Sequence, residues 1–591
     1  MKEPVNIVLI GMPTAGKTTI SHLLGKKLGR PVTEMDDEIE LRAGKTIRRI
    51  FAEDGEDAFR KMETEIAAEL KETSGRIISC GGGVVKIPET MKYVQECGLI
   101  VWLKRDLGKL FPTGTRPLAA DRGSLEKLYW ERQALYAKYC DVSVDNNGTL
   151  EKTAAQIVAL AECDPIALRE RKRVRKIRRK DFSLASIRLP SSKSAVHRAV
   201  ILSAFANGES VIRGDSGGED VEATIRAVRA LGASVTRYDS TLIVKGVSWP
   251  SYNGSVIDCG ESGSTLRFLI PVAALLDEPV TFSISGRLPE RPMDEYEELF
   301  AKHSLRFERD GNLIRVCGPL QAGEYEISGR QSSQFLSGMM MALSLLEDDS
   351  RIRIIPPLYS EPYAVMTAKM INAADGWIER EENMVYVRGG GFVSGEKNIP
   401  GDDSLAAFAA MIPYVTGRPV RIMNMSHDSL QADHTLVDAV RRMGGMAEEM
   451  EDGYIFLPAR LRGADIDLRN CPDLGPALIA LASQAEGTSL FTGTDRLRFK
   501  ESDRVEAMAE EMTKLGCLIT AGEDTVCVKG KTPIRSGMTL SPHHDHRVAM
   551  ALSILALAAD GTTALLDPGC VRKSWPEFFG MLEQAGIIQP D

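Results

Sequence analysis

The sequence predicts an α/β protein in two parts: a parallel sheet flanked by helices, then a two-lobed α+β region built of six repeats. Three observations carry this prediction. The apolar run Val5–Ile10 leads directly into a glycine-rich loop that begins at Gly11. Beyond residue 180, a helix, a small turn and a strand recur six times. Between these parts lies Arg169–Lys180, in which nine of twelve residues are Lys or Arg and only Glu170 opposes them. That run has no Gly or Pro and reads as a solvated, helical connector.

Composition narrows the function classes. A chain of 591 residues exceeds one core and calls for two or three domains. The net charge is −9, and removing the +8 of the basic run leaves −17 on the remainder. The run alone has the composition of a nucleic-acid tether, but so acidic a remainder argues against nucleic-acid binding. No apolar stretch approaches the length of a membrane span, and the opening residues do not read as a signal peptide. The ten cysteines contain no C-x-x-C pair, so neither a zinc site nor a disulfide framework is expected. The expected location is the cytoplasm.

In the first part, VNIVLI suits a buried parallel strand. It runs into Gly11-Met-Pro-Thr14-Ala15-Gly16-Lys17-Thr18-Thr19, which fits G-x-x-x-x-G-K-[ST]. The glycines let backbone N–H groups curl around phosphate oxygens, Lys17 brings a cation to the terminal phosphates, and the Thr18 hydroxyl ligates Mg²⁺. A nucleotide is expected here. Further strands are expected at Pro31–Thr33, Arg76–Ser79 and Leu99–Leu103, with a helix over Asp57–Leu70 that puts Arg60 and Glu63 on one face. Glu34 and Asp36 follow the second strand. Gly81-Gly82-Gly83 permits close backbone approach to a ligand. Arg116 lies in a loop and Arg132 on a later helix.

Together these residues resemble shikimate kinase, in order and spacing. The resemblance implies a P-loop kinase that uses MgATP, with Asp36, Arg60, Gly81, Gly82, Gly83 and Arg132 around shikimate. Asp36 would orient the attacking hydroxyl, and Lys17 and Arg116 would stabilise the phosphoryl group in flight. Gly11, Thr14, Ala15, Gly16, Lys17, Thr18, Thr19 and Arg116 would contact ATP. Glu34 replaces the first acid of the family's D-x-D pair and would serve Mg²⁺ through water. Pro13-Thr14 stands where the family has small residues.

In the second part, the repeated turns fall at residues 208, 277, 348, 417, 487 and 561, spacings of 69, 71, 69, 70 and 74. Each repeat opens its helix with a polar cluster: SSKS, ESGST, SSQ, DDS, PD and HHDH. Such openings gather N–H donors and partial positive charge, which suits anions. Lys and Arg recur beside them, where the dipole disfavours cations unless an anion sits between. Ser194 and Arg198 share a helix face, and Lys500 and Arg504 are expected four apart on another.

The motifs LPSSKSAVHR, SGSTLR, RQSSQFLSG, FKESDR and DHRVAM resemble EPSP synthase throughout this part. The resemblance implies a two-lobed enolpyruvyl transferase fold of six βαβαββ-type repeats, whose chain crosses between lobes near Ser191 and Gly401. It places Lys193, Ser194, Arg198, Ser332, Ser333, Gln334, Ser360, Asp473 and Lys500 on shikimate 3-phosphate. Lys193, Gly263, Arg291, Gln334, Arg504, Arg547 and Lys573 would hold phosphoenolpyruvate, with no cofactor. Asp473, Glu501 and Lys193 are the candidates for proton transfer. Arg496 stands where the family usually has a hydrogen-bond acceptor.

The expected boundaries are a kinase domain over 1–168, a basic linker over 169–180 and a synthase domain over 181–591. Lobe one would take about 193–400, and lobe two about 181–192 with 401–591. Shikimate, ATP, shikimate 3-phosphate and phosphoenolpyruvate are the expected partners, with no nucleic acid and no membrane. Three rivals stand beside this reading: a UDP-sugar acceptor for the second part, a nucleotide-sensing first part without catalysis, and a nucleic-acid tether at the basic run. His543-His544-Asp545-His546 looks like a metal cluster, but its match to the DHR motif points away from metal.

Overall fold

The computed structural model describes residues 5–111, 121–160, 174–215 and 217–590. The chain divides into two compact units, Met1–Arg173 and Val174–Asp591.

The first unit holds a five-stranded parallel sheet: β1 (Asn6–Ile10), β2 (Val32–Glu34), β3 (Ile77–Ser79), β4 (Gly98–Lys104) and β5 (Val142–Asp145), in the order β2-β3-β1-β4-β5. Alternation along the strands separates two cores. Val8, Ile10, Ile78, Ile100 and Trp102 face one, while Ile7, Leu9, Ile77, Leu99 and Val101 face the other. Buried Asn6 is satisfied by the chain around it, donating to Thr73 O at 2.7 Å and Cys97 O at 3.0 Å and accepting from Arg76 N at 2.8 Å. The loop after β1 and the glycines after β3 therefore emerge side by side at the carboxyl edge of the sheet. Ligands of open α/β sheets bind at that edge.

The second unit contains six repeats around six buried helices: Lys193–Ala204, Gly263–Ala273, Ser333–Leu343, Asp403–Thr416, Gly475–Ala482 and His546–Ala556. Five sheets have four strands each: a central strand with a parallel neighbour on one side and an antiparallel hairpin on the other. Two apolar cores result. One is built from residues between Ala195 and Ile399, and the other from Ile177–Leu189 together with Leu405–Ile588. The chain passes between them at two adjacent points, where Ser191 and Gly401 form a bridge and Ser192 N donates to Pro400 O at 2.8 Å.

Two expectations need correction here. Val174–Ile177, read as part of a helical connector, is a strand of the second unit, antiparallel to Thr563–Leu566. Ile177 is buried in the second core and Lys176 is exposed, while the Arg175 guanidinium pairs with Glu583 and lies over the Phe579 ring, 5.1 Å from its centroid. The sixth repeat is accordingly not βαβαββ. It ends without a hairpin, and the strand at the start of the unit supplies the missing antiparallel partner. The other correction concerns Lys500, which precedes its helix rather than riding on it. Its backbone is extended, Asp503 caps, and the helix begins at Arg504.

Candidate active sites

In the first unit, the loop after β1 curls over the start of helix Lys17–Leu28. Gly11 (φ 150°) and Gly16 (φ 92°) hold backbone that favours glycine, and a Cβ on Gly11 would lie 2.8 Å from Leu103 O. Thr14 also takes positive φ, and its hydroxyl accepts from Phe111 N at 3.2 Å. Lys17 Nζ folds onto Gly11 O at 2.9 Å and Met12 O at 3.0 Å, across the loop it would share with phosphates. Ala15 is buried, and Asn146 Nδ2 donates to its carbonyl at 2.7 Å. Thr18 and Thr19 are exposed. Thr18 Oγ1 donates to Glu34 Oε2 at 3.1 Å, and Ser21 Oγ reaches the other carboxylate oxygen. A hydroxyl beside a carboxylate at a phosphate loop is an all-oxygen donor set that fits a hydrated Mg²⁺.

Asp36, Arg60, Gly81–Gly83 and Arg132 gather beside this loop, where a Cβ on Gly82 would lie 2.8 Å from Pro13 Cδ. A Cβ on Gly81 would lie 2.7 Å from Asp36 Oδ1, and one on Gly83 2.7 Å from Arg60 Nη1. Arg132 Nη1 donates to Gly82 O at 2.8 Å, leaving buried Nε and Nη2 without partners among the described residues. Such donors suit a carboxylate. Arg60 Nη1 pairs with fully buried Glu63 at 2.7 Å. Burial pushes the Glu63 carboxyl up to about 7, although Arg60 draws it down. Arg116 lies outside the described residues.

In the second unit, both lobes line one cavity of ≈ 290 Å³. Lobe one contributes the helix openings at Lys193-Ser194, Gly263-Ser264, Ser332-Ser333-Gln334 and Ser360, with Arg291 beside them. Lobe two contributes Asp473, Arg496, Lys500, Glu501, Arg504 and Arg547. Arg504 is the hub, with Nη1 at 2.9 Å from Asp473, Nη2 at 2.8 Å from Glu501 and Nε at 2.8 Å from Asp545. Asp473 also meets Arg547 at 3.1 Å and Lys500 at 3.7 Å. Burial would raise its carboxyl, but Arg547, Lys500 and Arg504 together hold it well below the ordinary value. Glu501 is equally crowded, 3.4 Å from Arg291 and 3.6 Å from Lys573. Against the cost of burial, Arg291, Lys573 and Arg504 keep it ionised. Burial lowers Lys500 to about 8, partly countered by Asp473.

The remaining groups are braced by the protein. Lys193 Nζ pairs with Asp220 at 2.8 Å, and Lys573 Nζ meets Glu261 at 3.2 Å. Arg198 donates to Ser194 O, Thr367 Oγ1 and Tyr363 O. Gln334 accepts from Arg267 Nη1 at 3.0 Å and donates to Ser264 Oγ at 2.9 Å. Arg496 Nη1 donates to Ser360 Oγ at 2.9 Å. Sequence reasoning misses Asp220 and the Asp545–Arg504 pair, because their partners lie 27 and 41 residues away and no local pattern marks them. The histidines of the HHDH segment diverge: His543 turns to Glu511, His544 to Asp567, and His546 lines the cavity.

A phosphate loop beside a cluster of acid and arginine side chains, in a chain with a two-lobed cleft crowded by cations, defines a P-loop kinase joined to a transferase for anionic substrates. The family described as EPSP synthase (3-phosphoshikimate 1-carboxyvinyltransferase) matches residues 181–582, and that described as shikimate kinase matches residues 13–162. The chain belongs to the EPSP synthase family and carries a shikimate kinase domain ahead of it, as a bifunctional enzyme of the shikimate pathway.

The 3-phosphoshikimate 1-carboxyvinyltransferase of Clostridium kluyveri is 35% identical over 397 residues, covering 66% of this chain and 93% of the relative. That of Clostridium acetobutylicum is 36% identical over 408 residues, covering 68% and 94%. EPSP synthase from Acinetobacter baumannii superposes with a TM-score of 0.60 at 24% identity, over 70% of this chain and 99% of that one. The enolpyruvyl transferase NikO from Streptomyces tendae gives 0.57 at 16% identity, over 71% and 99%. At those identities the structures share the fold. Among the described residues no helix is long and apolar enough to cross a membrane.

Proposed function

We propose that the first unit transfers the terminal phosphate of MgATP to the 3-hydroxyl of shikimate, and that the second joins the product to phosphoenolpyruvate. In the kinase, Arg60 and Arg132 hold the shikimate carboxylate and hydroxyls against Gly81–Gly83, and Asp36 orients the attacking hydroxyl. Gly11, Thr14–Gly16 and Thr19 line the triphosphate, with Lys17 supplying charge there. Arg116 takes a similar role. Thr18 and Glu34 would hold Mg²⁺, which neutralises phosphate charge when bound.

In the synthase, Ser194, Arg198, Ser332, Ser333, Gln334, Ser360, Asp473 and Lys500 position shikimate 3-phosphate. Lys193, Gly263, Gln334, Arg291, Arg504, Arg547 and Lys573 take phosphoenolpyruvate. The 5-hydroxyl adds to the enol carbon while the methylene gains a proton. Loss of phosphate and of a methyl proton then restores the double bond. Asp473 accepts the hydroxyl proton, and Glu501 and Lys193 serve the methylene and the leaving phosphate. An arriving anion takes over cations that now hold Asp473 and Glu501, which raises the basicity of both carboxylates. The protein works in the cytoplasm.

The observation that carries this reading is the pair of carboxylates, Asp473 and Glu501, each set among three cations within one cavity. Purified protein given shikimate and MgATP releases ADP, and adding phosphoenolpyruvate then releases phosphate. No ADP sinks the kinase assignment. ADP followed by no phosphate sinks the synthase assignment.

A further inference from the structure

The cations of the synthase cavity fall into two groups. Lys193, Arg291, Lys500, Arg504 and Arg547 each pair with a carboxylate. Among the described residues, Arg198, Arg267, Arg330 and Arg496 line the same cavity with no carboxylate in ion-pair reach. Arg198 and Arg267 are buried and held by neutral oxygens of their own lobe. Arg330 is exposed and has no side-chain hydrogen bond among the described residues.

Arg496 differs from all three. It stands on the short turn Asp495–Phe499 of lobe two, yet its Nη1 donates across the cavity to Ser360 Oγ of lobe one at 2.9 Å. Nη1 also reaches Arg469 O at 3.4 Å, and the guanidinium lies over the Tyr359 ring, 5.8 Å from its centroid. Nε and Nη2 make no hydrogen bond to the described residues. Ser360 sits in left-handed backbone (φ 55°) at the start of helix Glu361–Asn372, and its hydroxyl does not cap that helix. With its oxygen accepting from Arg496, its own proton is left to donate.

The geometry points to Arg496 as a specificity-determining residue of the synthase: together with Ser360 it binds the phosphate group of shikimate 3-phosphate. This rests on the proposed synthase reading. A phosphate offers several acceptor oxygens, which match the two open nitrogens of Arg496, the Ser360 hydroxyl and the positive end of a helix. The guanidinium is already oriented by stacking and by Arg469, so little freedom is lost on binding. Because Arg496 and Ser360 belong to different lobes, the phosphate ties the two lobes together where it binds.

The test uses the full chain without ATP, so that only the synthase turns over, and follows phosphate release from shikimate 3-phosphate and phosphoenolpyruvate. KM for shikimate 3-phosphate and the competitive Ki of shikimate, which has the carboxylate but lacks the phosphate, are measured for wild type, Arg496→Gln and Arg496→Lys. Arg496→Gln is expected to raise KM for shikimate 3-phosphate about tenfold to a hundredfold. The Ki of shikimate should stay within about twofold, and Arg496→Lys should recover part of the loss. An unchanged KM overturns the assignment. A parallel rise of KM and Ki also overturns it, since a simple latch between lobes would weaken both ligands. If the wild type releases no phosphate, the underlying synthase reading fails instead. A far-ultraviolet circular dichroism spectrum and a urea unfolding midpoint of the second unit close to those of the wild type report that the variants fold.

Discussion

Asp545 Oδ2 accepts the Nε–H of Arg504 at 2.8 Å, with side chains exposed by 0% and 1%. Asp545 is thus the far-side support of an arginine whose other nitrogens reach Asp473 and Glu501. It also caps helix His546–Ala556 by accepting from Arg547 N. Removing one partner of a buried pair leaves the other charge uncompensated. Asp545→Ala is expected to destabilise the second unit by about 3–5 kcal/mol. Urea unfolding of the full chain, followed by the loss of synthase activity, measures this.

Glu63 sets a pH dependence in the kinase. Its folded carboxyl is raised to about 7 by burial, whereas the unfolded group sits near the ordinary 4.5. Between these values the folded state binds the extra proton, so stability falls as the pH rises from about 4.5 through about 7. Glu63→Gln should flatten that slope in thermal unfolding of the kinase unit. A slope unchanged by the substitution would mean that Arg60 keeps Glu63 ionised throughout.

Lys500 predicts a basic limb for the synthase. Burial lowers it to about 8, so the free enzyme loses this cation as the pH rises through that value. The kcat/KM for shikimate 3-phosphate reports the free enzyme, and it should fall across the same range. Lys500→Arg keeps its charge and should move the fall to higher pH, whatever it costs in absolute rate.

Gly263 offers a steric test of the other ligand. A Cβ there would meet Arg291 Nη1 at 3.1 Å and Leu288 Cδ1 at 3.6 Å, so the guanidinium must shift by a few tenths of an ångström. Gly263→Ala is expected to raise KM for phosphoenolpyruvate several-fold with little change in KM for shikimate 3-phosphate. Steady-state phosphate release with each substrate varied in turn checks both.

How much of this was legible in the sequence depends on the range of the interaction. The loop at Gly11 announces itself because strand, glycines, Lys17 and helix are contiguous. The helix openings are equally plain, since a cap and its helix are neighbours. Arg504 could be placed in the site, but not its dependence on Asp545, because nothing local couples two residues 41 apart. Val174–Ile177 was obscured for another reason. Its charges resemble those of a solvated helix, and only Ile177 among its four residues is buried, too short a pattern to reveal a strand. Lys500 was misplaced because four-residue spacing implies a shared face only inside a helix, and Asp503 delays the start.

The strand Val174–Ile177 has a bearing on the order in which the molecule is made. Lobe one is a single continuous segment, able to bury its core as soon as it leaves the ribosome. Lobe two begins at Val174 but closes only against Thr563–Leu566, and Gln589 N then donates to Arg178 O at 3.0 Å. Its first strand must therefore wait through almost the whole synthesis of the unit for its partner. The basic side chains of that stretch would keep it solvated and unpaired in the meantime, so the same charges that hide the strand from a sequence reader protect it from premature association.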